Sequence, residues 1–137
     1  MITPSILNQE QRLNFFPSIT KQYIHFESAI YHFFRLFCGD YDGGFWEFVE
    51  LDNGGKFLFP KGEKTWNISN PYNHASFELS AEAAGVCITL VTYSFYAMTA
   101  WEKGDQEEVD KLAKLEQQLY QYAMQLDEFN RIECILD

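Results

Sequence analysis

Asp40 to Pro60 reads Asp-Tyr-Asp-Gly-Gly-Phe-Trp-Glu-Phe-Val-Glu-Leu-Asp-Asn-Gly-Gly-Lys-Phe-Leu-Phe-Pro. Two apolar runs, Phe45 to Leu51 and Phe57 to Phe59, flank Asp52-Asn53-Gly54-Gly55. That tetrapeptide predicts a hairpin with a two-residue primed turn, because Asn and Gly reach positive φ at low cost. Gly43-Gly44 permits a sharp entry into the first strand. Tyr41, Phe45, Trp46, Phe48, Phe57 and Phe59 bring more aromatic surface than a bare hairpin can bury. The hairpin therefore needs a helix packed against it and is expected at the middle of the fold.

Outward from the hairpin, the pattern changes with distance. Lys21 to Cys38 carries apolar residues at Tyr23, Phe26, Ile30, Phe33, Phe34 and Phe37, a helical spacing, and Gly39 follows as a stop. Residues 1–17 show no periodicity and read as an irregular arm with a helical turn near Gln9 to Leu13. After Lys61-Gly62-Glu63, Trp66 and Ile68 alternate with polar residues, which predicts a half-exposed strand. Asn70-Pro71-Tyr72-Asn73 is a turn, and Ala75 to Leu79 a fourth short strand. Ser80 is placed to cap a helix that runs from Ala81 to about Trp101, with Glu82 in its first turn. Asp105 opens a further helix with an apolar seam at Leu112, Leu115, Leu119, Tyr122, Leu126 and Phe129. The seam is expected to pack on the preceding helix, with a homodimer contact through Leu112 to Phe129 as the minority reading. Ile132, Ile135 and Leu136 would close the core. The expected architecture is α+β: one domain over 1–137, a small antiparallel meander of three or four strands, and three or four helices including a buried central one.

Composition narrows the function. The 137 residues are 47% hydrophobic and 18% aromatic, which suits a packed core and not a disordered chain. The formal net charge is −10, and the ten basic residues are scattered, so no basic patch serves a phosphate backbone. No secretory signal is visible at the N-terminus. Ala83 to Trp101 carries no charge and approaches the length of a membrane span, but its threonines, its glycine and the lack of basic flanks fit a buried helix of a soluble protein. Cys38, Cys87 and Cys134 are widely spaced among apolar neighbours and read as buried free thiols in a reducing cytoplasm.

No catalytic, metal or cofactor constellation is found. His25 and His32 lie two helical turns apart, about 10 Å, too far to share one metal ion. Cys38 with His32 or His74 is a nucleophile pair on paper only, with no motif that places a base beside the thiol. Asp40 and Asp42 fall short of a calcium cage and suit bracing the loop or contacting a partner. The acids Asp105, Glu107, Glu108, Asp110 and Glu116, in the acidic helical region 105–137, read mostly as a solvated helix face. Mimicry of a DNA duplex needs one charge per about 1.7 Å, so a face about 35 Å long would take about twenty acids. The whole chain has twenty, and Lys103, Lys111 and Lys114 interrupt the run. The candidate partner surface is therefore the exposed part of the glycine-rich hairpin: Asp40, Tyr41, Asp42, Trp46 and Asn53. Trp46 and Phe48 also suit core positions.

Three stretches carry a family resemblance. The hairpin has the pattern Asp-Tyr-x-Gly-Gly-x-Trp-x-Phe, then Leu-x-Asn-Gly-Gly, then Pro. Glu78 to Gly85 reads Glu-Leu-Ser-Ala-Glu-Ala-Ala-Gly, and Arg12 precedes Phe15-Phe16-Pro17. Together, in their order along the chain, they resemble the ArdB/KlcA-type antirestriction family over roughly residues 9 to 101, with Glu82 where the family has Asp. The resemblance implies an antirestriction protein of plasmids and mobile elements, cytoplasmic and without enzymatic activity. It would protect unmodified DNA by binding a subunit of a type I restriction-modification complex. Two alternatives stay open: an acidic competitor at the DNA channel, and a regulatory protein of its replicon.

Overall fold

The computed structural model orders the 137 residues as β1 (Pro4–Ile6), α1 (Gln9–Arg12), α2 (Phe15–Ile19), α3 (Tyr23–Phe37), β2 (Trp46–Leu51), β3 (Lys56–Pro60), β4 (Trp66–Ser69), β5 (Ser76–Leu79), α4 (Ala81–Glu102), α5 (Gln106–Ala123) and α6 (Phe129–Leu136). The class is α+β, with α4 at the centre, as the sequence predicts. The hairpin forms with Trp46 opposite Pro60 and Glu50 opposite Lys56. Its turn differs from the expected one. Leu51 N–H donates to the Gly55 carbonyl and Gly54 N–H to the Leu51 carbonyl, which closes a three-residue loop. Only Gly54 takes positive φ, at +94°, while Asn53 stays in ordinary space. This is a type I turn followed by a left-handed glycine, the next commonest way to close a hairpin.

The first seventeen residues are not an irregular arm. Pro4 to Ile6 forms the outer strand of a three-stranded sheet, with Pro4 opposite Leu51 and Ile6 opposite Val49. A capping box at Asn8 and Gln11 starts α1, and α2 buries Phe15, Phe16 and Ile19.

The expected meander is interrupted after β3, so the strands form two sheets: β1-β2-β3 and the hairpin β4-β5. The reason lies in which way the backbone points. Leu7 N–H donates to the Phe48 carbonyl, so Phe48 turns its polar groups to the β1 side. By alternation its partner Leu58, with Lys56, points to the free side of β3. Helix α4 already lies there. The buried Tyr93 hydroxyl donates to the Lys56 carbonyl at 2.7 Å. A β-carbon at Gly85 would sit 2.3 Å from the Leu58 oxygen and 2.4 Å from the Phe59 β-carbon. The helix covers the edge that a fourth strand would need, and Pro60 offers no N–H to extend it.

Ser80 caps α4, its hydroxyl accepting from Ala83 N–H at 3.2 Å. The same residue donates its N–H and its hydroxyl to the two Glu128 carboxylate oxygens, both at 2.7 Å. The helix start is thereby tied to the entry of α6. From Ala83 to Leu90 every residue of α4 is buried. Length and composition alone would let α4 cross a membrane, yet 61% of its most apolar window is buried inside the protein.

Leu112, Leu115, Leu119 and Tyr122 pack into the main core against α4, and Tyr122 donates to Glu82 on α4 at 3.0 Å. The first four seam positions are thus buried within the chain, whereas Leu126 and Phe129 are only partly buried. The last two positions belong elsewhere: α5 ends at Ala123, Leu126 lies in the following turn, and Phe129 opens α6. Cys38 and Cys87 are buried as expected, whereas Cys134 is exposed on α6.

Replacing Gly85 by alanine forces the helix off β3. We expect a loss of about 2–3 kcal/mol in urea unfolding, the upper range for overpacking a core. Ser80→Ala removes the cap and one of the two bonds to Glu128, leaving the bond from the backbone N–H, and should cost about 1–2 kcal/mol in the same measurement.

Candidate functional site

Between α3 and β2 the chain makes a loop set by two glycines. Gly43 and Gly44 have φ of +98° and +129°, which other residues rarely adopt. Tyr41 N–H donates to the Cys38 carbonyl at 3.2 Å, which turns the chain back under α3. This places Tyr41 and Trp46 in a nest of rings. Tyr41 meets Phe34 edge-on at 4.9 Å between centroids, and Trp46 meets Phe34 at 5.1 Å and Tyr31 at 5.2 Å. Trp66 joins from β4, 5.4 Å from Phe34. Trp46 Nε1–H donates to the Tyr41 hydroxyl at 3.2 Å, so the two polar tips satisfy one another inside the nest.

Cations rim this base. The Arg35 guanidinium lies 5.6 Å from the Tyr41 ring centre, and Lys64 Nζ 4.2 Å from that of Trp66. Beside the nest opens a hollow of about 350 Å³ bounded by Arg12, Tyr31, Tyr41, the two glycines, Phe45, Trp46 and Phe48. Arg12 leans on the Phe48 ring and reaches Glu47 at 3.6 Å. Phe45 stands at the mouth with 86% of its surface in water, while its carbonyl accepts from Lys61 N–H and fixes its backbone.

The predicted residues divide three ways. Asp40 and Asp42 are exposed on the loop. Tyr41 and Trp46 are buried and form the floor of the hollow. Asn53 lies at the opposite end of β2, about 20 Å away at 3.3 Å per residue. There its side chain donates to the Gln118 carbonyl at 3.0 Å, and Gln118 returns a bond to the Asn53 carbonyl at 2.7 Å. Asn53 fastens the hairpin tip to α5. Sequence reasoning did not select Phe45, Tyr31 or Arg12. For Phe45 the signal was its place between the Gly43-Gly44 pair and the first paired residue of the strand; Arg12 stood in a family-like stretch with nothing to link it to the loop, and Tyr31 arrives from α3 with no local signal.

The chemistry of the remaining candidates is quiet. The Cys38 thiol is pushed above its ordinary value by burial, the reverse of an activated nucleophile. Burial likewise lifts Cys87 to about 12. His32 is exposed and edges onto Phe33, and His74 sits in a turn at φ of 65°. No three His, Cys, Asp or Glu side chains gather as a metal-binding group. The acids of α5 are not one solvated face. Glu108 is buried and accepts from the Thr20 hydroxyl and from Lys21 N–H. Asp105 pairs with Lys21, whose hydrogen bond holds the carboxyl below its ordinary value.

A family model described as "Antirestriction protein" matches residues 39–137. The chain belongs to the antirestriction protein family. Its relatives include two proteins of Escherichia coli strain K12. YafX is 33% identical over 99% of this chain and 88% of its own length, and the putative antirestriction protein YubI is 28% identical over 98% and 96%. The antirestriction protein KlcA of Escherichia coli is 33% identical over 65% of this chain and 64% of its own. A solved structure from work on KlcA and ArdB has a TM-score of 0.85 at 28% identity, covering 99% of this chain and 95% of that one. Those two proteins are described as having a novel fold and activity against type I DNA restriction systems in vivo but not in vitro. This antirestriction-family chain has their fold, and its family motifs fall mainly on structural positions: Gly54, Ser80 and Gly85.

Phe45→Ala should leave stability within about 0.5 kcal/mol, as expected of an exposed side chain. Trp46→Ala should cost about 3 kcal/mol or more, the scale of emptying an aromatic core position. Chemical denaturation of the two variants separates the exposed ring from the buried floor.

Proposed function

We propose that this chain protects unmodified DNA entering the cell from type I restriction-modification complexes, by binding protein and not by imitating DNA. Its place of action would be the cytoplasm, with residues 1–137 working as one domain and without covalent chemistry. The observation that carries this reading is the double-glycine loop: a bare Phe45 ring held at the mouth of a rigid, aromatic-floored hollow, with Asp40 and Asp42 beside it. A large apolar ring left in water beside a packed aromatic base is how protein surfaces present an anchor to a partner. Family membership gives the anchor its context.

The distribution of acids argues against a duplex mimic. Glu108 is turned inward and Asp105 is neutralised by Lys21, so the acids of α5 do not form one continuous row. The behaviour of the related proteins agrees. A mimic competing for a DNA channel would act on the purified enzyme, and activity in vivo without activity in vitro points to a target state or further component found in the cell.

The test is infection by unmodified phage of cells carrying an active type I system, with and without the protein, and with host DNA methylation assayed in parallel. We expect plating to rise towards that of modified phage while methylation is retained. Phe45→Ala combined with Asp40→Asn and Asp42→Asn should lose protection, and Glu107→Gln with Asp110→Asn should keep it. Lost methylation would favour competition for DNA. No protection by soluble wild-type protein would sink the antirestriction reading and favour a regulatory role.

A further inference from the structure

On the far side of α4 from β3, its second half leaves the core. A groove of about 720 Å³ runs there between α3, α4, α5 and α6, closed at one end by the Asn70–Tyr72 turn. Its lining is apolar apart from Asn70, Ser94 and Glu116. Phe95 and Met98, one turn apart on α4, keep 50% and 61% of their surface in water, and Tyr72 keeps 78%. So much large apolar surface around one concavity marks an interaction site.

Charge decides what fits it. Glu116 is the one ionisable carboxylate in the lining, and it makes no ion pair or hydrogen bond within the chain. Burial among apolar neighbours raises its pKa, so its charge is incompletely solvated. A second copy is a poor occupant. A two-fold contact brings the same patch to both sides, setting two such carboxylates into one dry interface between chains of net charge −10. An apolar occupant without charge would bury Glu116 unpaired. From this geometry we infer that the groove receives an amphipathic helix of a partner protein, with apolar anchors at helical spacing and one Lys or Arg that meets Glu116. This is the helix-in-groove mode of recognition. It deepens the protein-binding reading above by adding a second surface, separate from the Phe45 loop.

Two measurements test it. The first uses the purified full chain and a labelled synthetic amphipathic helix carrying leucines at i, i+3, i+4 and i+7 and a lysine at the edge of that face. A control peptide has glutamate in place of the lysine. We expect the lysine peptide to bind, with NMR shifts at Tyr72, Phe95, Met98 and Glu116, and the control to bind about tenfold or more weakly. Glu116→Gln should remove the difference between peptides while leaving melting temperature at pH 7 unchanged or raised. Equal binding of both peptides by the wild type, absence of binding, or a concentration-dependent dimer abolished by Met98→Glu would overturn the assignment.

The second is the phage assay with Met98→Glu and Glu116→Lys, both at positions that tolerate charge without unfolding the core. Loss of protection with retained melting temperature supports the groove. Retained protection overturns the groove as a functional surface and leaves the antirestriction reading standing. If wild type itself fails to protect, that reading falls, and the peptide experiment decides the groove alone.

Discussion

The close approach of α4 to β3 governs this structure. Gly85 has no side chain, and the space where one would stand is filled by the Leu58 carbonyl and Phe59. The contact does two things at once. It buries the first half of a helix that is apolar all round, and it closes the free edge of the sheet, with Tyr93 satisfying the Lys56 carbonyl. The remaining pieces take positions that follow from it. α5 packs its leucine seam on α4, the β4-β5 hairpin starts its own sheet, and α6 is tied back through Glu128 to the cap at Ser80. A helix more polar in its first half would not need so much cover, and one with a side chain at Gly85 would not fit.

Elements held by local signals were legible in the sequence. The hairpin, the Ser80 cap, the span of α4 and the core seam of α5 follow from turn chemistry and apolar spacing. What was not legible depends on distant partners. β1 is three residues long with no buried side chain, and exists because Leu51 to Val49 offer it a ladder. The break after β3 depends on Gly85 and Tyr93, more than twenty residues downstream. Asn53 has a turn residue's identity but takes its role from Gln118, and Glu108 looks solvated until Thr20 folds over it.

The loop surface was half legible for the same reason. Aromatic content near a glycine pair signals a rigid platform, yet which rings face water is set by packing. Phe34 arrives from α3 and takes the inner faces of Tyr41 and Trp46, which leaves Phe45 as the ring outside. The surface therefore separates into a buried floor that contributes stability and an exposed ring that contributes little. Such a division lets a protein hold a large apolar group in solvent without a collapsing neighbour.

The placement of the family motifs has a consequence for which positions can change. Glu78 to Gly85 and the turn at Gly54 hold the helix, the sheet and the hairpin tip in place, while Phe45 and the outer half of α4 lie on the surface. A substitution in the first set disturbs the shape itself, whereas one in the second set changes only what the surface presents. The fold can therefore carry different side chains at Phe45 and along the outer half of α4 while keeping one shape.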